Sequence, residues 1–128
     1  MDKKIFGTAA FFGMTAIIFG AFGAHALKEV LTVDQLTTFE TGVKYQMYHA
    51  LFLFFLGINH HLSHKLKKTI LILTIIGVIF FSGSIYLLAT DSLNSFNFKM
   101  IGFITPIGGL LLILAWAILM IHFLKKKA

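Results

Sequence analysis

The chain contains no cysteine and no arginine, and only five acidic residues among 128. Without cysteine there is no disulfide and no thiolate chemistry. Without arginine, and with lysines that are not interleaved with exposed aromatics, the net charge of +6 does not read as a nucleic-acid footprint. Charged residues make up 12% of the chain against 58% apolar, too few to clothe a soluble domain of this size. The composition therefore indicates an integral membrane protein. The sequence also lacks a Ser–His–Asp order at useful spacing, paired carboxylates within an apolar run, a phosphate-cradling glycine loop and a metal-ligand motif. Neither an enzyme nor a cofactor is expected. No two segments match as halves of an inverted transporter repeat.

What is present is a series of long apolar runs. A hydrocarbon core of ~30 Å takes ~20 helical residues. Ile5 to Ala24 meets that length without a charge, and Ala9, Gly13, Ala16, Gly20 and Gly23 recur on one face of it. Such a small-residue stripe lets a neighbouring helix approach closely in lipid. The same segment, with Lys3 and Lys4 before it and Ala24-His25-Ala26 after it, also has the outline of a cleavable signal. Its apolar run is longer than the usual ~7–15 residues, which favours a retained helix. Further helices are expected at about 43–59, 69–89 and 100–124, with Thr105-Pro106 kinking the last. Thr32 and Gln35 form a capping box for a short interfacial helix over about 33–40. Glu40 and Lys44, four apart, are placed to pair on one face. His60, His61 and His64 have helical spacing suited to a metal, but no carboxylate stands near; the basic connection 60–68 reads as a solvated loop at the headgroups. Asp91, Ser92, Asn94, Ser95 and Asn97 mark a turn over 90–99.

Charge sets a topology for four spans. Lys3, Lys4, Lys65, Lys67, Lys68, Lys125, Lys126 and Lys127, eight of the 11 lysines, fall on one side together with both termini. The positive-inside rule makes that side cytoplasmic. The predicted fold is an all-α, four-helix membrane bundle with cytoplasmic N and C termini, a single membrane domain over 1–128. On this topology the intramembrane polar residues share one level, in the half facing away from the cytoplasm.

That layer is the candidate site. Its members are His25, Glu40, Lys44, Tyr45, His49, Ser84 and Thr105. Polar groups inside a bilayer are costly, so they are read either as a ligand pocket or as interhelical bonds and an aromatic belt that fasten the bundle. Three functions stay open. The first is a non-enzymatic protein binding a lipidic or small polar ligand in the outer pocket. The second is a minimal proton or small-solute transporter acting as an oligomer. The third is a structural or accessory subunit. The expected partners are the bilayer and a second copy or another membrane protein.

Four blocks carry a resemblance: GAFGAHALK at 20–28, TGVKYQMYHAL at 41–51, FSGSIYLLA at 81–89 and ITPIGG at 104–109. In that order they resemble the domain-of-unknown-function 423 family, of the UPF 0382 type and similar to the eukaryotic transmembrane protein 256. The resemblance implies a four-helix protein of the bacterial plasma membrane. It implies no established activity or catalytic residue.

Overall fold

The computed structural model describes residues 2–93 and 99–125. Asn94, Ser95 and Asn97 of the expected turn, and Lys126 and Lys127 of the basic tail, lie outside them. The described residues form helices and turns only. We label the helices α1 (Asp2–His25), α2 (Val33–Ile58), α3 (His64–Ala89) and α4 (Ile104–Lys125).

Helix α2 begins where the capping box predicts. Thr32 Oγ1 accepts the Gln35 amide at 3.1 Å, and Gln35 Oε1 accepts the Thr32 amide at 2.9 Å. No separate interfacial helix follows. Residues 33–40 run on without a break into the rest of α2, because no proline or helix-ending cap intervenes before Ile58. Helix α3 likewise starts earlier than expected, at His64, where the Ser63 hydroxyl accepts the Leu66 amide at 3.1 Å. Residues 60–63 of the basic connection form a turn, and 64–68 are the first turn of a helix and not a loop. Pro106 falls in the first turn of α4, where backbone N–H groups have no intrahelical partner, so it opens the helix instead of kinking it.

Packing follows chain order: α1 on α2, α2 on α3, α3 on α4, while α1 and α4 share no comparable interface. The small stripe of α1 serves as expected. A β-carbon on Gly13 would lie 3.8 Å from Ala50, and one on Gly20 3.5 Å from Val43. On α3 the chain widens into a single π-turn, Ile79–Gly83, which the sequence did not announce. Gly108 of α4 crosses at that turn so closely that an added β-carbon would meet the Phe81 amide nitrogen and lie 2.8 Å from the Phe80 carbonyl carbon. One core, including Ile5, Leu53, Leu56, Ile70, Leu112 and Ala115, joins all four helices.

One expected solvated lysine is not solvated. Lys67 is 4% exposed. Its ammonium donates to Asp2 Oδ1 and to the Gly57 carbonyl, both at 3.2 Å. Burial of a lysine demands such partners, and this trio ties the start of α1 to the end of α2 and the start of α3. The phase of α3 explains the choice. Lys67 shares the buried stripe of Ile70, Leu71, Thr74 and Val78, whereas Lys65 and Lys68 lie off it.

Candidate functional site

Of the buried polar residues, Gln46, His49, Ser82 and Ser84 gather towards the half that contains the start of α2, and Lys67 and Thr74 lie towards the other. Gln46 is buried and uses its whole amide. Its Nε2 donates to Thr15 Oγ1 at 2.6 Å and to the Phe12 carbonyl at 2.9 Å, and its Oε1 accepts from the Tyr86 hydroxyl at 2.6 Å. Three helices are joined through one side chain. Ser82, in the π-turn, donates to the Gly42 carbonyl at 2.8 Å. Gly42 has no side chain to obstruct this, and a β-carbon there would stand 2.6 Å from the Tyr86 ring. Ser84 donates to the Phe81 carbonyl at 3.0 Å, which leaves Thr105 as the donor in the 2.5 Å contact between their hydroxyls.

His49, 3% exposed, is bonded through both ring nitrogens. Trp116 Nε1 lies 3.0 Å from Nε2, and the Tyr45 carbonyl lies 2.6 Å from Nδ1. An indole nitrogen only donates, so Nε2 accepts and Nδ1 carries the proton. We assign the neutral Nδ1–H tautomer on those grounds. Neither nitrogen is left to take up or hand on a proton without a bond being given up. Trp116→Phe removes the donor and leaves Nε2 unpaired. The expected loss is about 1 kcal/mol of unfolding free energy in micelles, the usual scale for one interhelical bond in a membrane.

Of the seven candidate residues, the structure brings His49 and Tyr45 together, and Ser84 and Thr105 together. His25 ends α1 exposed. Glu40 and Lys44 are exposed, and the expected pair between them is not formed; among the described residues the ion pair is Asp2–Lys67. A surface pair gains little over separate hydration, so nothing compels it. Sequence reasoning missed Thr15, Gln46, Tyr86 and Trp116 as bonding partners. Gln46 had a usable signal, since it is an amide in an apolar helix only three residues before His49.

Beside His49 lies a groove. Helices α2 and α4 run in the same direction but touch at only a few side chains. The Phe52 ring lies 4.3 Å from that of Trp116, and Phe55 6.4 Å from Phe123, centre to centre. One part of the gap, ≈ 400 Å³, is lined by Tyr45, His49, Phe81, Leu112, Ile113 and Trp116. A second part, ≈ 370 Å³, continues along Tyr48, Leu51, Phe52, Phe55 and Leu119, with Trp116 shared between the two. The stretch of α2 that lines the two parts, Tyr45 to Phe55, covers ~15 Å at ~1.5 Å per residue. Its flanks are open to the surroundings: Ile113 is 64% exposed and Leu51 59%.

Three helices among the described residues, spanning Asp2–Glu29, His64–Ala89 and Ile101–Lys125, are long and apolar enough to cross a membrane. With α2 beside them, the chain is an all-helical membrane protein. It belongs to the family described as proteins of unknown function, DUF423, whose model matches residues 19–109. It is similar to a UPF0382 membrane protein of Staphylococcus saprophyticus, 40% identical over 88% of this chain and 89% of that one. It is 32% identical to a UPF0382 membrane protein of Haemophilus influenzae over 100% of this chain and 99% of the relative. The UPF0382 inner membrane protein YgdD of Escherichia coli is 29% identical over 93% of this chain and 88% of its own. No solved structure matches.

Proposed function

We propose that the protein is a non-enzymatic, multi-pass protein of the bacterial plasma membrane that holds a lipid along the groove between α2 and α4. The name of the Escherichia coli relative, an inner membrane protein, supports the location. The observation that carries the binding reading is the groove itself. It is almost wholly apolar and open sideways, in two parts that share Trp116, which reaches across from α4 to His49 and Phe52 of α2. A ligand pocket is usually apolar with a few placed polar groups. Here those groups are the Tyr45 and Tyr48 rings at one end and the satisfied His49–Trp116 bond in the wall. A proton path through His49 finds no support, because both ring nitrogens are engaged.

In this reading α2 is the fourth span. Its 26 residues cover ~39 Å, with Asp34, Glu40 and Lys44 in the part that emerges. Lys3, Lys4, Lys65, Lys68 and Lys125 then stand on the cytoplasmic side with both termini, as the positive-inside rule requires. A reporter fused after Ala128 is expected to be active only in the cytoplasm; activity only outside would reverse the orientation.

Gly109 supplies the binding test. A β-carbon there would lie 3.4 Å from Phe81, an ordinary contact, so Gly109→Leu sends its added bulk into the groove. Native mass spectrometry of protein released from lipid-containing micelles should show a retained phospholipid in the parent. In Gly109→Leu retention should fall at least fivefold, with unfolding temperature little changed. Equal retention in both would remove the groove as the site.

A further inference from the structure

The groove has a charged approach at the end marked by Tyr45. Lys44, Tyr48, Leu51 and Phe55 are spaced four, three and four apart and so form one stripe along α2. Tyr48, Leu51 and Phe55 line the groove. Lys44 stands one turn beyond them, and Glu40 one further turn out, ~6 Å along the axis. An acid four residues ahead of a lysine is the favoured order for a pair within a helix. These two are nonetheless both exposed and not ion-paired with each other. Leaving the apolar slot, a partner therefore meets first a cation and then an anion.

A zwitterionic phospholipid presents the complementary order: acyl chain, anionic phosphate, then a terminal ammonium. An anionic glycerol headgroup has the phosphate but nothing to offer Glu40. Between zwitterionic headgroups, a primary ammonium donates hydrogen bonds to a carboxylate, and a quaternary one has no N–H to donate. We infer that the groove selects a phospholipid of the ethanolamine class, with its phosphate at Lys44, its ammonium at Glu40, one acyl chain along Tyr48, Leu51 and Phe55 and the other beside Tyr45, Gly109 and Ile113. This rests on the groove being a lipid site, and the experiment separates the two claims.

Native mass spectrometry would be run on protein from micelles doped with equal amounts of palmitoyl-oleoyl phosphatidylethanolamine and palmitoyl-oleoyl phosphatidylglycerol. The parent should retain the ethanolamine lipid about threefold to fivefold over the glycerol lipid, the scale of one or two exposed charge pairs. Glu40→Gln should bring the ratio close to one by raising retention of the glycerol lipid. Lys44→Gln should lower retention of both. Both sites are exposed, and an unchanged unfolding temperature would exclude misfolding as the cause. If the parent keeps both lipids equally, or Glu40→Gln leaves the ratio unchanged, headgroup selection is overturned while the groove reading stands. If Gly109→Leu also fails to reduce retention, the groove reading falls with it.

Discussion

Gly108→Ala should destabilise the protein by about 3 kcal/mol or more, whereas Gly109→Ala, one residue on, should change stability by less than about 0.5 kcal/mol. The two glycines look alike in sequence. At Gly109 the new methyl would meet the Phe81 ring at 3.4 Å, an ordinary contact. At Gly108 it would meet the backbone of Phe80 and Phe81 in the π-turn, with the Phe80 carbonyl carbon 2.8 Å away. A ring swings aside, but a helix backbone moves only as a body, so α3 and α4 must separate. That separation also strains the Ser84–Thr105 contact and the fit of Gly77 against Leu112. Unfolding in mixed micelles, followed by circular dichroism, measures both variants. A Gly108→Ala protein as stable as Gly109→Ala would mean that the crossing is looser than described.

Gln46→Leu should cost about 2–3 kcal/mol, more than any other single polar replacement in the bundle. Interhelical bonds in membranes average about 0.6 kcal/mol and reach about 1.7. Gln46 makes three of them, to two neighbouring helices. Its loss leaves the Tyr86 hydroxyl facing an apolar side chain, and an unpaired polar group costs more than the bond was worth. Thr15 retains its bond to the Phe11 carbonyl, so the damage centres on Tyr86. The double variant Gln46→Leu, Tyr86→Phe should therefore recover at least half of the loss, because replacing both partners by apolar groups is nearly neutral. Without recovery, the cost arises from packing around Phe19, Phe39 and Tyr86, whose rings lie 5.0–6.4 Å apart.

The four helices were legible because apolar runs of spanning length have few other uses, and the stripe from Ala9 to Gly23 located the α1–α2 contact. His49 was legible as an ionisable residue within a largely apolar helix. Its partner was not, because Trp116 lies 67 residues away on another helix and nothing in the local pattern pairs the two. Thr15 was silent for a similar reason, since membrane threonines commonly bond their own helix, as Thr15 also does. Lys67 differed from Lys65 and Lys68 only by helical phase, and that signal appears once the helix is started at His64 instead of 69. The π-turn had no signal: Ile79 to Gly83 reads as plain helix, and Gly108 packs against the widened turn.

The polar layer thus divides into two parts. Gln46, Ser82, Ser84 and His49 are fully engaged with protein partners and fasten the helices. The groove between α2 and α4 is the part to which the proposed lipid is assigned. Trp116 is the sole tryptophan and lies in the groove wall, 49% exposed, so it reports occupancy directly. The decisive measurement is quenching of Trp116 fluorescence by brominated phosphatidylethanolamine titrated into reconstituted bilayers. A control protein carries Trp116→Phe and Ile17→Trp, with Ile17 65% exposed on α1. The groove account predicts that Trp116 is quenched saturably at a low fraction of brominated lipid, well ahead of the control, and that Gly109→Leu abolishes this lead. Trp116 quenching that follows the control at every lipid fraction would contradict it.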